Sequence, residues 1–228
     1  MTAYAGGSAP GTVSPGRVFA AALAVGGLTA VVEGRPRHHA LPVYRWAGSA
    51  SASDRFVLDH CRGATVDLGC GPGRMLVELA ARGHDVLGVD VSGSASAEAR
   101  RRGVPALTRD LFGVLPREGE WETALLADGN IGIGGDPVAL LRRVGRLVGR
   151  SGRVVVDLAR PGTGLRVHRL HLRAAGLAST EFPWAELGPD ALTPAATAAG
   201  LSVGEVVHRR GRWVGVLARG TGVDEVPA

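Results

Sequence analysis

The residues best placed to do chemistry sit in Thr65–Arg74, which reads T-V-D-L-G-C-G-P-G-R. Gly69, Gly71 and Gly73 fall within five positions, after an apolar run and just before a helical pattern at Met75, Leu76, Leu79 and Ala80. Glycines so spaced permit positive φ and let a ligand lie against bare backbone. The new helix adds unpaired N–H groups and a partial positive charge, which by themselves suit an anion such as phosphate. Asp67 argues otherwise. A carboxylate just ahead of the turn repels phosphate and suits an ammonium group, directly or through water. The glycine pattern is also G-x-G-x-G, whereas a dinucleotide fold would need G-x-G-x-x-G. Asp90 closes the next apolar run, L-G-V-D, seventeen residues after Gly73. A carboxylate at the tip of a second strand can accept both hydroxyls of a ribose. The ligand so described carries a ribose and a zwitterionic amino-acid tail, and no phosphate.

The elements that must position these residues alternate along the chain. Apolar periodicity predicts strand Ala64–Leu68, helix Arg74–Arg82, strand Asp85–Val91, helix Ser94–Arg102 and strand Ala106–Thr108. Strand Glu122–Ala127, helix Pro137–Arg150 and strand Arg153–Leu158 follow. Asp136 and Pro137 suit the N-cap and first position of that last helix. Such alternation predicts an α/β, doubly wound, Rossmann-like parallel sheet covered on both faces. Two late strands, Leu201–His208 and Arg212–Arg219, predict an antiparallel C-terminal edge, for seven mostly parallel strands in all. Ahead of the core, residues 1–16 read as a flexible tail. Residues 17–62 read as an extension of helix (from Arg17 to about Leu23), hairpin (Leu28–Glu33 and His38–Val43) and a second helix capped by Ser53 or Asp54, covering the site of a core domain at 63–228. Leu165–Leu172 reads as a strand or hairpin, and Leu192–Ala199 as a helix.

At Val66–Gly73 (V-D-L-G-C-G-P-G), Gly88–Asp90 (G-V-D) and Arg109–Phe112 (R-D-L-F) the chain resembles the class I S-adenosylmethionine-dependent methyltransferases. That resemblance covers about Ala64 to Leu158. It implies S-adenosyl-L-methionine as cofactor and S-adenosyl-L-homocysteine as product. The Gly69–Gly73 backbone, with Cys70 and Asp67, would hold the methionine moiety. Asp90, followed by Val91, would bind the ribose, and Asp110 the adenine amino group, with Leu111 supplying its backbone. A narrower likeness, to small actinobacterial-type members of unassigned substrate, rests on L-P-V-Y-R-W (Leu41–Trp46), F-P-W-A (Phe182–Ala185), G-R-W (Gly211–Trp213) and the loop after the fourth strand.

That loop reads L-A-D-G-N-I-G-I-G-G-D-P, and lies where ligands sit in open parallel sheets, beyond the carboxyl ends of strands. Asn130 is the only asparagine of the chain, and Ile131 and Ile133 are its only isoleucines. Their clustering marks the loop as functional, with Asp128 and Asn130 near the reacting methyl. Transfer from a sulfonium needs approximation, exclusion of water and often a base, and no metal. Asp128, His168 and His171 are the candidate bases. Arg166 and His168 would share one face of an extended segment. Arg45 suits the methionine carboxylate. Asn130, His168 and Trp184 are candidates for the acceptor, and His38 and His39 sit on the hairpin above.

Composition narrows the partners. The 45% hydrophobic and 21% charged fractions are those of a soluble globular protein. The formal charge is +5, yet all 26 basic residues are arginine and acidic residues are interspersed, so no nucleic-acid footprint is expected. Val18–Val32 is too short to span a bilayer as a helix, and it lacks an A-x-A cleavage site. Cys61 and Cys70 make neither a disulfide framework nor a metal site. A cytoplasmic methyltransferase of secondary metabolism, acting on O, N or C of a small molecule, is the leading expectation. A non-methylating binding protein or catalyst on the same fold, and an RNA methyltransferase, are the alternatives.

Overall fold

The computed structural model describes residues 12–32 and 38–219. Most of the expected tail, the G-R-P-R turn and the side chains of His38 and His39 lie outside the described residues. The chain begins with β1 (Thr12–Val13), α1 (Pro15–Val25), β2 (Leu28–Val32), β3 (His38–Leu41), α2 (Val43–Trp46) and α3 (Ala52–Leu58). The alternating part follows as β4 (Thr65–Leu68), α4 (Arg74–Ala81), β5 (Val86–Asp90), α5 (Gly93–Arg101), β6 (Ala106–Thr108) and β7 (Trp121–Leu126). A 3-10 turn at Asn130–Gly132 leads to α6 (Pro137–Leu147) and β8 (Val148–Leu158). The last third is β9 (Leu165–Ala174), β10 (Leu177–Ser179), β11 (Phe182–Leu187), α7 (Pro189–Ala198), β12 (Leu201–Arg209) and β13 (Arg212–Arg219).

Seven strands form the main sheet in the order β12-β13-β8-β7-β4-β5-β6. The five from β8 to β6 are parallel, and β13 and β12 close the edge antiparallel, as the sequence predicts. All four residues of β4 are buried, which is why it reads as an unbroken apolar run with a single acid. The core splits over the two faces of this sheet. Leu140, Leu141, Val144 and Leu147 of α6 pack on one face, and Leu76 and Leu79 of α4 on the other. None of these residues is exposed, and at about 2 kcal/mol each their burial supplies much of the drive to fold.

Local differences from the sequence reading have local causes. Helix α6 starts as expected, with Asp136 accepting from Val138 and Ala139 N–H at 3.0 Å. It stops at Leu147, three residues before Arg150, because Val148 already pairs with Trp121 in the sheet. Helix α3 is capped by Ser51, not by Ser53 or Asp54. Asp54 completes a capping box with Ser51 and is itself buried.

The larger difference is a second sheet. The N-terminal hairpin does not stand alone: strand order β1-β10-β9-β2-β3 joins it to the last third, and β11 continues along β9. Leu165–Leu172 is thus one side of a long pairing, with β2 on one edge of β9 and β10 then β11 on the other. Among the described residues no helix is long and apolar enough to cross a membrane.

Candidate active site between the two sheets

Strands β4, β5, β7 and β8 each have an aspartate within two residues of their carboxyl end: Asp67, Asp90, Asp128 and Asp157. The chain leaves β4 toward β5 on one side and returns to β7 on the other, so the carboxyl end of β4 is the switch point where α/β sheets bind ligands. A cavity of about 520 Å³ opens there, with the second sheet as its far wall.

The glycine turn is closed to anions by its own hydrogen bonds. Gly69 and Cys70 N–H both donate to Val89 O, at 2.8 and 3.2 Å, and Gly73 N–H donates to Cys70 O at 3.1 Å. Gly71 N–H donates to Asp90 Oδ2 at 2.9 Å. No N–H of the four remains to cradle a phosphate. Gly71, at φ +54, faces open space at the cavity, so a ligand meets bare backbone there. Gly73 does not reach the cavity; it caps α4 in the left-handed region and packs on Ala99 of α5.

Asp67 is 1% exposed, and its Oδ1 has no hydrogen-bond partner. Burial pushes its pKa up to about 7; the charge of Asp128 adds to the rise, Arg74 opposes it and Asp90 adds a little more. A buried carboxyl of this kind lacks a cation. Asp90 is pinned through Gly71 and through Ser92 N–H, which donates to Oδ1 at 2.8 Å. Burial raises its pKa, and these two backbone bonds oppose the rise.

Asp128 sits at φ +52, a strained conformation for a non-glycine residue. Arg212 Nη2 donates to its Oδ1 at 2.8 Å, and Arg74 Nη2 donates to its Oδ2. The same two guanidinium groups hold Asp54, and Arg212 also holds Asp157. Both oxygens of Asp128 are therefore engaged in anchoring its loop. Burial lifts Asp157 to about 6, a rise that Arg212 opposes and Asp128 reinforces. Arg74, Asp54, Asp157 and Arg212 were missed from sequence. The usable signal was the recurrence of aspartate at strand ends.

Asn130 lines the cavity and donates from Nδ2 to Leu68 O and Gly69 O, each at 2.9 Å. Two carbonyl acceptors fix its orientation, and its own oxygen is the end left for a ligand. Ile131 is buried in the core and Ile133 lines the cavity, forming a bridge with Trp184 of β11. Glycine is required at Gly132 because a Cβ there would meet Ala185 O at 2.1 Å. The unusual loop composition thus serves to dock the second sheet on the first.

The remaining sequence candidates divide. Val91, Asp110, Leu111, Cys70 and Trp184 line the cavity. Asp110 also accepts from Phe112 N–H at 3.0 Å, stabilising its own turn. Cys70 Sγ lies over Gly88, and burial pushes its pKa up, so it stays a thiol. Arg45 is exposed on α2, outside the cavity, while its neighbour Trp46 faces in. His168 lies one cross-strand pair from the wall, opposite Trp184, with Nε2 2.9 Å from Glu186 Oε2. Neither His168 nor His171 is among the residues of the cavity wall.

Known proteins share this fold. Residues 65–152 match the model of a methyltransferase domain family. No curated protein sequence matches the chain. Among solved structures, the S-adenosylmethionine-dependent methyltransferase of Bacteroides fragilis, in complex with S-adenosyl-L-homocysteine, superposes with a TM-score of 0.76 at 16% identity, over 93% of this chain and 99% of that one. The sugar N-methyltransferase of Streptoalloteichus gives 0.55 at 22% identity, over 78% and 91%. The 1,6-didemethyltoxoflavin-N1-methyltransferase of Burkholderia thailandensis gives 0.58 at 19%, over 78% and 81%. Residues 65–152 thus match a methyltransferase domain family, and the described residues have the fold of S-adenosylmethionine-dependent methyltransferases.

Proposed function

We propose that this protein is an S-adenosylmethionine-dependent methyltransferase acting on a small molecule in the cytoplasm. One observation carries the reading. On a single cavity wall, a glycine turn with no free N–H lies between a buried carboxyl lacking a cation, Asp67, and a pinned carboxylate at the next strand tip, Asp90. Those residues fit an ammonium group and a ribose, and they repel phosphate. When bound, S-adenosylmethionine supplies an electrophilic methyl on a sulfonium.

The chain's own residues do the rest. Asp67 and the Gly69–Gly71 backbone hold the amino-acid end, and Asp90 accepts the ribose hydroxyls. Asp110 and Leu111 meet the adenine. The arginine-held Asp128 loop and Asn130 set the floor of the transfer site, and the second sheet excludes water from it, so approximation is the main contribution. His168, the cross-strand partner of Trp184, positions that strand through Glu186. Small-molecule acceptors are supported by two structural neighbours, a sugar N-methyltransferase and a 1,6-didemethyltoxoflavin-N1-methyltransferase. The two free cysteines suit a reducing compartment.

The test is calorimetry of S-adenosylmethionine on the purified protein, followed by a metabolite screen read by mass. Micromolar binding, with a product heavier by one methyl and release of S-adenosylhomocysteine, is expected. Absence of binding would overturn the reading, and binding without any methylated product would favour a non-methylating protein on this fold.

A further inference from the structure

The far wall of the cavity differs in chemistry from the near one. Register places Leu28 opposite Leu41, Ala30 opposite Leu172 and Leu170 opposite Phe182, so these pairs share one face of the second sheet, and all six line the cavity. Phe19 of α1 and Trp46 of α2 extend that face, with ring centroids 5.7 Å apart, and Trp184 ends it. Among the described residues this wall carries no ionisable side chain. Its polar side-chain atoms are the indole N–H groups of Trp46 and Trp184, which only donate. The charged residues of the cavity, Asp67, Arg74, Asp90, Arg109, Asp110 and Asp128, all come from the strand ends and loops of the main sheet and the start of α4.

The rings of Phe19, Trp46, Phe182 and Trp184 are only half-buried. All four line the cavity, and covering apolar surface there is favourable by about 25 cal/mol per Å². A charged acceptor would lose its hydration against this wall with no counter-ion, and a sugar would leave most of its hydroxyls unpaired. A flat, uncharged ring system would stack on the aromatic side chains and strand nothing.

We propose that the acceptor is an uncharged, flat aromatic molecule of one or two fused rings, held between the aromatic wall of the second sheet and the Asp128–Ile133 loop. This rests on the methyltransferase reading for the identity of the opposite half of the cavity. The wall holds no base, so the accepting atom carries a lone pair that is available without prior loss of a proton, as a neutral ring nitrogen does.

The test uses two probes of one shape, 2-naphthol and 2-naphthalenesulfonate, titrated against the intact protein with and without saturating S-adenosylhomocysteine. Quenching of tryptophan fluorescence reports binding. The neutral ring is expected to bind at least tenfold more tightly than the sulfonate. Phe19→Ala and Trp184→Ala are expected to weaken it at least fivefold, with S-adenosylhomocysteine affinity within twofold of the parent as the check on folding. Leu170→Asp, which places a charge on the wall without removing a ring, is expected to do the same. Equal or tighter binding of the sulfonate, or no binding of either ring, would overturn the inference. If S-adenosylhomocysteine itself fails to bind, the methyltransferase reading falls, and the comparison in its absence still decides the character of the wall.

Discussion

Arg212 Nη2 lies 2.8 Å from Asp128 Oδ1, joining residues 84 positions apart in the chain. The first residue of β13, between β12 and β8, thereby holds a strained residue at the floor of the site. Through Nη2 and Nη1 the same side chain reaches Asp54 and Asp157, so it ties α3, the β7 loop and β8 together. Arg74 braces Asp54 and Asp128 from α4.

Arg212→Met is expected to destabilise the protein by about 3–5 kcal/mol, because it leaves Asp157 without its ion-pair partner and Asp54 and Asp128 with Arg74 alone in a largely buried site. Arg212→Lys should recover less than half of that loss, since one ammonium cannot span three acids. Urea unfolding monitored by fluorescence measures both.

Asp67 makes cofactor binding depend on pH. Its folded pKa, about 7, lies above the usual value for an aspartate, so between about 4 and 7 the folded state keeps a proton that the unfolded state has released. Stability without ligand therefore falls as pH rises through that window, with Asp157 adding slope up to about 6. A cationic ligand prefers the ionised carboxyl, so S-adenosylmethionine affinity should rise by about tenfold between pH 6 and 8. Asp67→Asn should flatten both profiles, as read by thermal melts and by calorimetry across pH.

Asp90 accepts from Gly71 and Ser92 N–H and has its remaining lone pairs for a ribose. Asp90→Ala is expected to weaken S-adenosylmethionine binding by about 50-fold or more, at roughly 2–3 kcal/mol for hydrogen bonds to a charged group. Asp90→Asn keeps one acceptor oxygen and should fall between. Calorimetry at constant pH separates the three.

Gly71 and Gly83 both hold positive φ with open space around a notional Cβ, but only Gly71 lines the cavity. Alanine at either position should cost about 1 kcal/mol of stability through backbone strain. Only Gly71→Ala should weaken S-adenosylmethionine binding, by about tenfold or more, because the new methyl occupies ligand space. Paired melts and titrations of the two variants check this.

Legibility from sequence followed the range of the forces involved. The glycine turn, Asp67, Asp90 and the Asp136–Pro137 helix start are defined by neighbours within a few positions, and each was readable. The singular asparagine and isoleucines at 130–133 flagged their loop, although its packing role, docking β11 through Gly132 and Ile133, needs Ala185 and Trp184 from a distant strand. Arg166 and His168 do share a face, as strand parity requires, since they lie two residues apart in β9. Parity does not say how far along that face the cavity extends, and it stops at Trp184.

The sequence by itself determined the alternation that builds the main sheet, the turn at its switch point and the acids at its strand ends. These are local facts of apolar period, positive φ and side-chain type. Only the tertiary structure decided that the N-terminal hairpin and β9 to β11 make one sheet, because strand pairing between residues more than 130 positions apart leaves no trace in either segment alone. It also decided which of 26 arginines matter: Arg74 and Arg212 differ from the others in being enclosed with the same two carboxylates, Asp54 and Asp128, a property of burial and distance that composition does not record.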